Sequence, residues 1–188
     1  MNGNLSLEEI DHLLTQATNE FVAFCSNINE KIFFYQPSDK WSIAQNVQHL
    51  IISAKRTKLA YSPPKFIIKL YVSKPNRPSR TYDELIAKYK LKLQQGGRAS
   101  KTFIPKPISS SVGKLRMLED FSRSMTHLTE TISNKWTEKK LDLYIAPHPL
   151  LGKITLRELS YFTIHHIYHH LETIKTRINE FEMIKATS

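Results

Sequence analysis

GKITLRELSYFTIHHIYHHLETI, residues 152–174, contains His165, His166, His169 and His170, half of the eight histidines in the chain. Thr155 and Glu158 have the Thr-x-x-Glu spacing of a capping box, in which each side chain bonds the other residue's backbone N–H at a helix start. Apolar residues then recur at helical spacing, which predicts a helix over 156–181. At about 100° per residue from Leu156, the positions Ile167, Leu171, Ile174 and Ile178 gather in one apolar stripe. His170 and His166 fall roughly 40° and 80° to one side of Leu156, on the flank of that stripe. His169 and His165 fall roughly 140° and 180° away and are expected to face solvent.

The same signals recur upstream. Ser6-Leu7-Glu8-Glu9 caps a predicted helix over 7–28, and Ser42-Ile43-Ala44-Gln45 caps one over 42–61. The second should stop before Pro63-Pro64, because proline removes a helix hydrogen bond and clashes with the preceding turn. Thr81-Tyr82-Asp83-Glu84 caps a shorter helix that ends near Gly96-Gly97. Another long helix is predicted over 111–134, carrying Leu115, Leu118, Phe121, Met125, Leu128 and Ile132. Pro147, Pro149 and Gly152 read as a loop. No run alternates like a strand, so the fold class is all-α. Four long helices with a long crossover between the second and third suit a four-helix bundle, since such a link can leave those two helices parallel.

The chain of 188 residues is 40% hydrophobic and 23% charged, enough for one domain with a real core. No apolar run approaches the roughly 20 residues of a membrane span, and the start lacks the basic and apolar segments of a signal peptide. Cys25 is the only cysteine, which excludes an intrachain disulfide and fits a cytoplasmic setting. The net charge is +10, from 27 Lys+Arg against 17 Asp+Glu, and it favours anionic partners. No RNP-like motif, zinc-finger spacing or arginine-rich run accompanies that charge, which argues against a nucleic-acid binder.

His166 and His170 stand one turn apart on one helix face, a spacing with which two imidazoles can share a metal ion. The same spacing also suits an aromatic core edge. In a run with four histidines some such pair is nearly inevitable. Of the others, His12 and His127 lie on amphipathic helices with no evident partner, and His148 lies in the loop APHPLLG, where it could line a cleft mouth. His49 falls well off the main stripe of its helix, together with Asn46 and Ser53. Spacing alone leaves it undecided between a cavity and an exposed face.

WSIAQNVQHLIISAKR (41–56) resembles the second-helix signature of the DinB-like (DinB/YfiT) superfamily: Trp41, Ser42, then His49-Leu50. Gly152-Lys153-x-Thr155 followed by His166, His170 and Ile174 resembles its last-helix signature. Glu172-Thr173 departs from the pattern, since many relatives have a glutamine there. The resemblance covers the chain from about Ser6 to Phe181 in helix order. It implies an up-down-down-up four-helix bundle, one DinB-like domain over 1–188, and a divalent metal ion held by His49, His166 and His170. Known activities in the family include thiol-dependent S-transfer and isomerisation, and others are presumed hydrolases.

Three histidines would leave the ion its full charge and an open position. The metal expected is zinc or nickel, though three imidazoles also suit iron and copper. The chemistry implied is activation of a low-molecular-weight thiol for transfer, or of water for hydrolysis, on a small-molecule substrate. By spacing, Ser53 and Thr173 are candidate hydrogen-bond partners of the ligands, or else plain helix-surface hydroxyls. A non-catalytic protein that binds metal, or nucleic acid or other anions through its basic surface, is the alternative. Phe33, Phe34 and Tyr35 could cover the end of the core or form a homodimer contact.

Overall fold

Three of the four long helices begin at capping boxes. The computed structural model describes residues 4–37, 40–62, 75–98 and 100–186. Ser6 and Glu9 close a capping box at the start of α1 (Leu7–Ser26). After a short α2 (Glu30–Phe34) capped by Asn29, Ser42 and Gln45 close the box of α3 (Ile43–Tyr61). Thr81 and Glu84 do the same for α4 (Tyr82–Gln94). The expected start of the next helix at Ser111 is instead a 3-10 turn, Ser110–Val112. Gly113, at φ +80°, separates this turn from α5 (Lys114–Lys135). This is a left-handed conformation that glycine adopts without steric cost. α6 (Glu138–Leu143) follows. Thr155 and Glu158 then cap α7 (Leu156–Ala186), with reciprocal N···O distances of 2.9 and 3.2 Å.

One expectation is corrected. The stretch taken for a loop is a hairpin, β1 (Ile145–His148) antiparallel to β2 (Gly152–Thr155), in register from Ile145↔Thr155 to His148↔Gly152. Strands of four residues are too short to show alternation, and Pro147 masks one of them. Its turn ends at Gly152, whose φ is +74°. The Pro63-Pro64 stop lies outside the described residues.

The chain is mostly helical, and its core lies between α1, α3, α5 and α7. Phe21 of α1 meets Phe121 of α5 at 4.9 Å between ring centroids, and Lys114 Nζ bonds the carbonyls of Ser26 and Ile28 at the end of α1. Trp136, just past α5, donates its indole N–H to Tyr61 O at the end of α3. The Tyr61 hydroxyl, fully buried, donates to Leu156 O at the start of α7, 2.7 Å away. Leu5 N, before α1, donates to the Tyr161 hydroxyl on α7. Phe33 is buried, Phe34 packs on the core and Tyr35 meets Phe181 at 5.0 Å, so this loop covers one end of the core.

The crossover is fixed to α7 by charge. Glu158 is 0% exposed and takes two hydrogen bonds from the Arg77 guanidinium and two more from the Arg80 backbone and side chain. Arg157, also buried, pairs through two nitrogens with Asp142 of α6 and donates to the carbonyls of Leu5 and Glu138. No described helix is long and apolar enough to cross a membrane.

Candidate metal centre

α3 and α7 are joined at one end by Tyr61 and Leu156, and about three turns further along they bring three histidines together. His49 comes from α3, His166 and His170 from α7. All three are buried, and their ligand nitrogens lie within 4.8 Å of one another. His166 Nε2 is 3.1 Å from His49 Nε2 and 3.1 Å from His170 Nε2. His49 lies off the apolar stripe of α3 because that helix is buried on a second face. Gln45, Asn46 and Ser53 share this burial.

Hydrogen bonds fix two of the three tautomers. His49 Nδ1–H donates to Phe103 O at 2.7 Å. Asn46 donates its amide N–H to Ser42 O, so its Oδ1 is free to accept from His170 Nδ1–H, 2.7 Å away. Both rings therefore present a bare Nε2 to the centre. His166 Nε2 faces both lone pairs, and one proton there could satisfy only one of them. Burial holds His49 below the usual histidine range. Burial and the neighbouring rings hold His166 and His170 well below it. A proton is thus a poor occupant, and a cation accepting three lone pairs is a good one. Two imidazole nitrogens on one tetrahedral zinc lie about 3.3 Å apart, given Zn–N of about 2.0–2.1 Å. The donor set fits one metal ion.

The rings are held by aromatic neighbours. Trp41 lies parallel to His170 at 6.4 Å and 5.1 Å from His49, and Phe162 stacks on His166 at 4.8 Å. The cluster opens on a cavity of about 720 Å³. His148 and Ser53 line it, as do the exposed Arg56 and Arg98. The Arg56 guanidinium sits 5.2 Å over the Phe103 ring, so one residue orients His49 by its carbonyl and supports a cation by its ring.

The other predicted residues separate. His12 and His127 are exposed. His165 and His169 do not face solvent as expected. Both are half-buried beneath Tyr89 of α4, whose ring is 5.8 and 6.1 Å away. The crossover covers a face that the helix wheel leaves bare. Thr173 bonds the carbonyl of His169 on its own helix and Ser53 makes no bond to a ligand, so the partner roles expected of them fall to Asn46 and Phe103. Asn46 shares the polar strip of His49 and was within reach of sequence reasoning. Phe103 acts through its backbone, which leaves no trace in residue type.

No curated protein matches the chain. The family model described as the DinB superfamily matches residues 13–174, a span that holds all three clustered histidines. The chain belongs to the DinB superfamily.

Proposed function

We propose that this protein is a metal-dependent enzyme. It holds one divalent ion, zinc or nickel, through His49, His166 and His170, and acts on a small molecule in the adjoining cavity. The observation that carries this reading is the convergence of three buried, proton-poor ring nitrogens beside a cavity of about 720 Å³. Bound there, the ion supplies Lewis acidity and an exchangeable position for water or a thiolate. Asn46 and the Phe103 carbonyl keep two ligand nitrogens deprotonated and aimed. Trp41 and Phe162 shield the rings from water. Arg56 and Arg98 attract an anionic substrate or thiol.

The reaction class is thiol-dependent S-transfer or hydrolysis. Cys25 does not provide the thiol: it is fully buried, and burial pushes it up to about 12. A low-molecular-weight thiol would have to enter with the substrate. The fold assigned with this reading is one domain over 1–188, an up-down-down-up bundle. Its support is the pairing of helix ends: Leu5 with Tyr161 and Phe24 with Lys175, Tyr61 with Leu156 and Asn46 with His170, Asp11 with Ser133 and Ser26 with Lys114. The site of action assigned is the cytoplasm.

The test is elemental analysis of tag-free protein, wild type beside His49→Ala and His166→Ala. Near-stoichiometric metal in the wild type, lost from both variants, is expected. A wild type that takes up neither zinc nor nickel sinks the reading. The net charge of +10 would then favour a non-catalytic protein that binds anions or nucleic acid through its basic surface.

A further inference from the structure

Two polar groups on the cavity wall take no part in the histidine cluster. Tyr89 of α4 is 4% exposed and sits edge-on to Phe162 at 5.2 Å. Burial pushes its phenol up to about 12, so it remains a neutral O–H. His148, the last residue of β1, sits edge-on to the same Phe162 at 4.1 Å. The N–H groups of Leu150 and Leu151 both donate to its Nδ1, at 3.2 and 3.1 Å. A ring nitrogen that accepts two hydrogen bonds carries no proton, so the proton is on Nε2 and the ring is a fixed N–H donor. The hairpin turn sets that tautomer.

Neither donor has a protein partner among the described residues. Arg177 Nε is the only sealed side-chain nitrogen or oxygen left without one there. The Tyr89 hydroxyl and His148 Nε2 are therefore open to the cavity that both residues line. Phe162, against which both rings pack, stacks in turn on His166. With no protein partner, each donor is left to water or to a ligand in the cavity. Neutral donors on an apolar wall suit a neutral oxygen acceptor with two lone pairs. The cations of the cavity, Arg56 and Arg98, are exposed side chains and do not belong to this pair.

We propose that the Tyr89 hydroxyl and His148 Nε2–H form a subsite for a carbonyl oxygen, so that the cavity takes a carbonyl compound with an apolar body, such as an ester, amide or ketone. This rests on the cavity being the substrate site, and the subsite exists with or without a bound ion. Two neutral donors beside a Lewis-acid site would also strengthen as negative charge grows on that oxygen, which is how such donors favour a transition state over a ground state.

The probes are acetophenone, carbon-13 labelled at its carbonyl, and ethylbenzene, which has the same ring and chain without the oxygen. Binding of each is followed by NMR to chelator-treated and to zinc-supplied protein. The variants are Tyr89→Phe and His148→Asn. The asparagine Oδ1 can replace Nδ1 as acceptor for the loop N–H groups, so the turn is kept while the Nε2–H donor is removed. Each variant is expected to weaken acetophenone roughly fivefold, the effect of one hydrogen bond, and to leave ethylbenzene within about twofold, well inside that difference. The carbonyl resonance of bound acetophenone should lie further downfield in the wild type than in either variant, because each variant removes one hydrogen bond to that oxygen. Equal weakening of both probes, a bound carbonyl resonance at the same position in wild type and variants, or no uptake of acetophenone overturns the subsite. Zinc uptake without a carbonyl effect refutes the subsite alone. A carbonyl effect in protein that takes no zinc refutes the metal reading alone.

Discussion

His170 shows how much a single neighbour decides. Its Nδ1–H is held by Asn46 Oδ1 at 2.7 Å, and that bond keeps Nε2 bare for the cluster. Asn46→Ala should therefore lower metal affinity about 10- to 100-fold while the three ligands remain, as is usual when such an outer hydrogen bond is lost. Competition with a calibrated chelator measures this, and an unchanged affinity would show that the ring is oriented by Trp41 alone. Thr173→Ala is the control. Its hydroxyl is spent on the His169 carbonyl, so metal affinity should not move. His169→Gln should likewise leave one metal per chain, because that ring, although edge-on to His170 at 5.3 Å, is not among the three clustered ligands.

At the level of elements, α7 depends on Glu158. This carboxylate closes the capping box with Thr155 and also receives Arg77 and Arg80 from the crossover. Burial pushes its carboxyl up, but the bonds from Arg77, Arg80 and Thr155 outweigh burial and hold it below the usual carboxylate range. The sign follows: its contribution is present above the unfolded pKa of about 4.5 and is lost as pH falls through the lower folded value. Glu158→Gln should cost about 2–3 kcal/mol, since it weakens several charge-assisted hydrogen bonds from Arg77 and Arg80, whose side chains are partly exposed. Thr155→Ala should cost about 1 kcal/mol, the loss of a cap alone. Urea titration of both variants at neutral pH separates them. Equal losses would mean that the clamp on the crossover adds nothing to the cap.

Across the whole molecule, neutral histidines make the fold sensitive to acid. Burial lowers His148 to about 4, and burial with the neighbouring His169 and Lys90 lowers His165 to about 4. Unfolding frees both to take protons at their ordinary value of 6.5. Their contribution is therefore full above pH 6.5 and declines as pH drops from 6.5 toward about 4. The urea midpoint of metal-free protein should fall across that window, and a midpoint flat from pH 7 to 4.5 would contradict the burial of these rings. An ion bound only by the folded chain adds stability by mass action, about 4 kcal/mol at a thousandfold excess over its dissociation constant. Chelation should accordingly lower the melting temperature, and His166→Ala should abolish the difference between the two states.

The four capping boxes, the apolar stripes between them and the resulting helical class were legible in the sequence, because caps and helix periodicity are local chemistry. So was the split that sets His166 and His170 apart from His165 and His169, since it depends only on turn angle. His49 was not decidable from spacing. It lies on a second buried face of α3, and a face covered by another element resembles an exposed polar strip until that element is placed. Only the tertiary structure put Tyr89 over His165 and His169, turned 145–155 into a hairpin that fixes the His148 tautomer, and brought the Phe103 carbonyl to His49. Each of these depends on contacts between distant parts of the chain or on backbone atoms common to every residue, so no residue pattern announces them. Residue order set where the capped helices begin and which way each ring faces on its own helix. Long-range packing decided which rings meet, which are covered and which donors are left open to the cavity.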